Sequence, residues 1–156
     1  MARDGFYCKK FTDTRYTGKV SGEKQGKIKD GVLEGQWVNY FANGQLRYKG
    51  SYKNGKREDE WIFYHDNGQV YGKGSYKNGK REGEWVSYND YGRLNSNGSY
   101  KNGMREGEWV KYNDYTQLTS KGSYKNGKLD GKWVFYNESG SIKAVETYKD
   151  GKQISN

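Results

Sequence analysis

Only 31% of the 156 residues are hydrophobic while 30% are charged, and the formal net charge is +9, totals that alone would suit a disordered chain. An aromatic content of 17%, held at fixed positions, excludes that reading and makes aromatic rings the source of the core; the absence of proline and the 23 glycines suit many turns and uninterrupted sheet ladders. The one cysteine, Cys8, excludes an internal disulfide. Nothing reads as a signal h-region or a membrane span, so a cytoplasmic location is expected, although a Met-Ala start left after removal of a signal would look the same.

Residues 1–25 match the rest of the chain poorly, yet Tyr16 precedes Tyr40 and Gly26 precedes Gly50 by the same 24-residue interval that separates the later units. This segment is expected to be a lead-in or capping half-repeat, since terminal units of repeat proteins shield an otherwise exposed edge. From 26 to 154 five units follow in register, as a single repeat domain. Trp37, Trp61, Trp85, Trp109 and Trp133 mark them at 24-residue steps, together with Tyr40, Tyr64, Tyr88, Tyr112 and Tyr136. In the last unit Glu146 stands where Gly50, Gly74, Gly98 and Gly122 sit.

Within a unit, 60–64 and 69–76 are rich in aromatic and β-branched residues, with Asn67-Gly68 and Asn78-Gly79 beside them. Asn-Gly between such runs predicts two-residue type I′ hairpins, because that turn needs φ > 0 at both central positions. Two strands per unit give an all-β, elongated antiparallel meander of about ten strands in an open twisted sheet, roughly 45–50 Å long at 4.8 Å per strand. Two-residue turns place Trp61 opposite Gly74, and Gly74 opposite Gly83. Trp61, Val70, Gly74 and Tyr76 then share one face, the core, with Ile62, Tyr64, Ser75 and Lys77 on the other. Gly74 is expected to be the floor on which the Trp61 ring lies.

Catalytic constellations are nearly absent. His65, the only histidine, lies beside a turn where other units carry Phe41, Asn89, Asn113 and Asn137, and reads as a solvated residue without a partner to make it a base. One histidine and one cysteine cannot make a zinc site, so no metal and no cofactor is expected. Glu34, Glu58, Glu82, Glu106 and Asp130 recur beside Arg57, Arg81 and Arg105 and read as a charge-laced surface that keeps the sheet soluble. The lysines are more informative. Lys29, Lys53, Lys77, Lys101, Lys125 and Lys149 hold one position, about 10 Å apart if two strands separate them. They would border a stripe of tyrosine and aliphatic residues, and Tyr64, Tyr88, Tyr112, Lys77 and Lys101 are the candidate partner-binding residues. A protein partner is ranked first, an acidic lipid surface second and nucleic acid third, because the acidic ladder offsets much of the basic field.

The pattern Gly83, Trp85, Tyr88, Leu94, Gly98, Tyr100, Gly103, Gly107, Trp109 resembles the MORN repeat, in the bacterial variant of YwqK-type antitoxins. The resemblance covers about 26–152 and departs locally, where Asp59 replaces a glycine and where Tyr91-Gly92 and Tyr115-Thr116 replace Asn-Gly; those turns are expected to be looser. It implies a hairpin-repeat scaffold that binds a protein, a toxin or effector in the narrowest form, with self-association and acidic phospholipids as further associations of the family. The expected function is a non-enzymatic protein-binding platform, with antitoxin or immunity-type neutralisation as its most specific version and a peripheral adaptor on acidic phospholipid as the alternative.

Overall fold

The structure, a computed structural model, describes residues 2–3, 6–9 and 14–155. The described chain is all strand and turn. A short pair, β1 (Ala2–Arg3) and β2 (Phe6–Tyr7), precedes β3 (Gly18–Val20), β4 (Lys24–Lys29), β5 (Val32–Tyr40), β6 (Leu46–Lys53), β7 (Lys56–Tyr64), β8 (Val70–Lys77) and β9 (Lys80–Tyr88). The series continues with β10 (Leu94–Lys101), β11 (Met104–Tyr112), β12 (Leu118–Lys125), β13 (Lys128–Tyr136), β14 (Ile142–Lys149) and β15 (Lys152–Ser155). Strands β3 to β15 form one 13-stranded sheet in strict sequence order, an antiparallel meander in an open sheet. The described part of the lead-in is tied to the sheet: the Tyr7 amide donates to the Gly31 carbonyl at 2.7 Å, and the Gly31 amide to the Tyr16 carbonyl at 2.9 Å.

The two kinds of turn differ, and the difference corrects the expected register. Asn78 and Gly79 both have positive φ (52° and 80°) and Lys77 pairs with Lys80, a two-residue type I′ turn as expected. At Asn67-Gly68 only the glycine is left-handed, at 85°. There the His65 amide donates to the Gln69 carbonyl at 2.8 Å and the Gly68 amide to the His65 carbonyl at 3.0 Å, so the loop is longer than two residues. Register is regained by a one-residue shift: Phe63 pairs with Gly72, but Tyr64 pairs with Val70. A shift of one exchanges faces. Val70 therefore leaves the tryptophan face and joins Lys73 and Tyr88 around a depression on the other, while Tyr71 turns toward Trp85.

Beyond the type I′ turn, Ser75 pairs with Glu82 and Gly74 with Trp85, not with Gly83. Two residues, Gly83 and Glu84, bulge out, and Gly83 is left-handed at φ 69°. A shift of two preserves the face. Trp61, Gly74 and Tyr76 thus stay together as expected, but the ring that covers Gly74 belongs to Trp85. A Cβ on Gly74 would fall inside that ring, as one on Gly50 would in Trp61, on Gly98 in Trp109 and on Gly122 in Trp133. Glu146 is accommodated opposite Trp133 because the Trp133 ring lies on Gly122 instead.

The departures at 59 and 116 are not looser. Asp59 (φ 58°) and Thr116 (φ 62°) adopt the left-handed conformation of the glycines they replace. The Thr116 turn keeps both loop hydrogen bonds, Asn113 amide to Gln117 carbonyl at 2.9 Å and Thr116 amide to Asn113 carbonyl at 3.0 Å. A β-branched residue there is strained by about 1–2 kcal/mol, so Thr116→Gly is expected to raise stability by about 1 kcal/mol in urea denaturation. Gly74→Ala is expected to cost about 1–3 kcal/mol by overpacking. In double-mutant cycles that cost should be relieved by Trp85→Ala and added to by Trp61→Ala, the opposite of what pairing within the Asn67-Gly68 hairpin would give.

Candidate functional site

The tryptophan face of a single-layer sheet has no second layer to cover it, yet Trp61 is fully buried and Trp85 is only 6% exposed. Each ring is closed on every side by its own repeat chemistry. Glycine backbone lies beneath it. Tyr52 and Tyr76 flank Trp61 edge-on with centroids at 5.0 and 6.0 Å, and Tyr76 and Tyr100 flank Trp85 at 5.2 and 5.9 Å. The indole N–H of Trp85 donates to the Ser75 carbonyl at 3.1 Å, beside the bulge. Above lies a guanidinium: Arg57 is 4.5 Å from the Trp61 centroid, Arg81 4.4 Å from Trp85 and Arg105 4.7 Å from Trp109.

These three arginines are the feature that the sequence reading missed by treating them as solvated charges. Each is half-buried and donates from Nη1 to the tyrosine hydroxyl one unit on: Arg57 to Tyr76 at 3.0 Å, Arg81 to Tyr100 at 2.9 Å and Arg105 to Tyr124 at 3.0 Å. Burial pulls the Arg81 pKa down, but hydrogen bonds and favourable charge interactions with Tyr76 and Tyr100 outweigh it, and the net shift is upward, as for Arg57 and Arg105. The guanidiniums stay charged. The signal was available: a two-residue turn pairs Arg81 with Tyr76, and paired residues share a face. Leu33 and Leu129 hold the equivalent position on either side of the row.

The expected partner-binding residues do lie on the opposite face, but not in one patch. Ile62 pairs with Lys73, and Tyr64, two residues along, joins the same side. Tyr64, Tyr88 and Tyr112 are half-buried at the end of the ribbon that carries the longer loops, where Val70, Leu94 and Leu118 pair with them. Lys77 and Lys101 are exposed at the other end, beside the Asn-Gly turns. A whole strand, roughly 20 Å or more, separates the two rows. The charges that border the aliphatic and tyrosine band are instead Lys49, Lys73, Glu60 and Glu84, of mixed sign.

The recurrent carboxylates have a structural role. Oε2 of Glu58 accepts the Asn78 amide at 2.7 Å and Oε2 of Glu82 the Asn102 amide at 2.8 Å, while the Arg57 and Arg81 carbonyls take the Gly79 and Gly103 amides at 2.8 and 2.9 Å. Every such pair fastens the turn of one unit to the bulge of the unit before. In the last unit Asp130 is farther from the Asp150 amide, at 3.5 Å, and forms an ion pair with Lys149 at 3.2 Å that holds its carboxyl below the usual range. His65 is half-buried, not solvated: its Nε2 lies 3.2 Å from the Tyr88 carbonyl and its ring meets Tyr71 edge-on at 5.2 Å. Cys8 lies opposite Arg15 in an antiparallel backbone pairing. Among the described residues no group of three or more His, Cys, Asp or Glu side chains gathers in a way that would hold a metal ion.

The family model described as a MORN repeat variant matches residues 33–54, 60–78 and 129–150. Three of the units therefore match MORN-type hairpin repeats, and the sheet is an antiparallel meander consistent with such tandem hairpins. The two units between the matched segments, with the same fold, carry the substituted turns Tyr91-Gly92 and Tyr115-Thr116. No curated protein matches the chain. Glu82→Ala is expected to cost about 0.5–1.5 kcal/mol, the usual net worth of one hydrogen bond, and to raise hydrogen exchange at the Asn102 amide selectively while Asn78 stays protected.

Proposed function

We propose that this chain is a non-enzymatic platform that binds another protein through the aliphatic and tyrosine band centred on Ile62, Tyr64, Val70, Val86 and Tyr88. The observation that supports this most is the band itself: half-exposed apolar and tyrosine side chains, continuous across the units, on a sheet face that no second layer covers. Contiguous surface of this kind, rimmed by polar groups, is characteristic of protein contacts, where aromatic residues anchor and charged ones orient. The mixed signs of Lys73, Glu60 and Glu84 favour a protein over a uniformly anionic surface.

A narrower form of this reading, a neutralising binder of the antitoxin or immunity type, rests on the sequence resemblance. A second reading, adhesion to acidic phospholipid, has one observation in its favour: Lys53 pairs with Lys56 and Lys77 with Lys80 along the edge formed by the Asn-Gly turns, apart from the tyrosine band. The test is capture from the native cell at high salt by the parent chain and by a Tyr64→Ser/Tyr88→Ser/Tyr112→Ser variant, followed by hydrogen exchange on the complex with the purified partner. Protection over 62–70 and 86–94 that the variant loses, with affinity weakened less than about threefold by salt, is expected. Binding only to anionic vesicles, stripped by salt and indifferent to the tyrosines, would replace the protein reading with the lipid one.

A further inference from the structure

We infer that the row Arg57, Arg81, Arg105 on the tryptophan face is a docking groove for an extended acidic peptide segment with a carboxylate at every third residue. Three charged guanidiniums stand in line in a partly buried aromatic trough, and among the described residues none pairs with a carboxylate. The nearest acids in sequence, Glu58, Glu82 and Glu106, spend an oxygen on turn amides. A guanidinium has five N–H donors; the tyrosine hydroxyls of its own unit and of the next engage two of them, as Tyr76 and Tyr100 do for Arg81, and the donors that remain can meet a carboxylate. Between the second and third arginines lies an open groove whose lining includes Arg81, Trp85, Ser96, Tyr100, Arg105 and Trp109.

The spacing chooses the ligand. The row advances one arginine per two strands, about 9.6 Å. Ring-to-ring steps of 5.2 Å from Tyr76 to Trp85 and 5.9 Å from Trp85 to Tyr100 carry the aromatic ladder the same distance within an ångström or two. Three residues of polyproline II span about 9.3 Å and complete one turn, so every third side chain points the same way. A chain of that form laid along the row, across the strands, presents one carboxylate to each guanidinium. Because Leu33 and Leu129 end the row, the footprint is three acidic residues over roughly seven positions. Single-stranded nucleic acid fits less well: it needs open ring faces for base stacking, and here Trp61, Trp85 and Trp109 are 0%, 6% and 3% exposed, covered by glycine below and arginine above.

This groove is separate from the tyrosine band, so the two readings stand or fall independently. The experiment is calorimetry, with tryptophan emission as a second readout, on the whole chain and a synthetic peptide of tandem Glu-Pro-Pro triplets. The control is a peptide of the same composition with its glutamates clustered. The triplet peptide is expected to bind at least about tenfold more tightly than the clustered one, and Arg81→Gln to weaken it by about tenfold or more, whereas the Tyr64→Ser/Tyr88→Ser/Tyr112→Ser variant should bind it unchanged. If Arg81→Gln does not fold, Arg81→Lys keeps the charge but loses the planar fork and should weaken binding severalfold. Equal affinity for the two peptides, which needs no variant to observe, would overturn the assignment. So would an unchanged affinity in either arginine variant, or tighter binding of an oligothymidylate than of the triplet peptide.

Discussion

The tryptophan held between a glycine below and an arginine above is the interaction on which the rest of this fold depends. A sheet of one layer has no opposing layer against which to bury side chains, and a protein with so few aliphatic residues could not form one. Each tryptophan solves this locally. Its ring lies on backbone bared by glycine, tyrosines from adjacent strands meet its edges, and at Trp61, Trp85 and Trp109 a guanidinium lies toward solvent. The core is thus a line of enclosed rings and not a volume, and it lengthens by one ring with every hairpin.

That enclosure requires the bulge. Without Gly83 and Glu84 left unpaired toward β8, Gly74 would face Gly83, and Trp85 would lie two residues away from the floor it covers; toward β10 both remain in the ladder, opposite Tyr100 and Ser99. The bulge also leaves the segment before it free to hold the next turn through the Glu82 carboxylate and the Arg81 carbonyl. Packing and hydrogen bonding therefore both run from one unit to its neighbour, the nearest-neighbour coupling that repeat proteins share. Asp59, a non-glycine at the bulge, shows that the left-handed backbone is imposed by these contacts and not merely permitted by glycine.

The two faces differ in what they offer a partner. One is a trough of buried rings topped by cations in a row; the other is a broader half-exposed band of valine, isoleucine, leucine and tyrosine with charges of both signs. The turns separate chemistry along the ribbon as well, with lysine pairs at the type I′ end and Asp66, Asp90 and Asp114 at the end with the longer loops. A surface of this kind selects by pattern and spacing more than by any single pocket.

The 24-residue period, the antiparallel hairpins and the identity of the core face were determined by the sequence alone, because aromatic, glycine and Asn-Gly positions repeat in step and side-chain alternation follows from the backbone. The pairing of Arg81 with Tyr76 was legible by the same rule. Only the tertiary structure decided which glycine each tryptophan covers, on which face Val70 lies, and that Tyr64 and Lys77 share a face while standing at opposite ends of a strand. The physical reason is that loops and bulges add residues to one strand without its partner: an added pair hides in the parity, a single one inverts it, and neither is fixed until the rings, the turn amides and the carboxylates of neighbouring units are satisfied together.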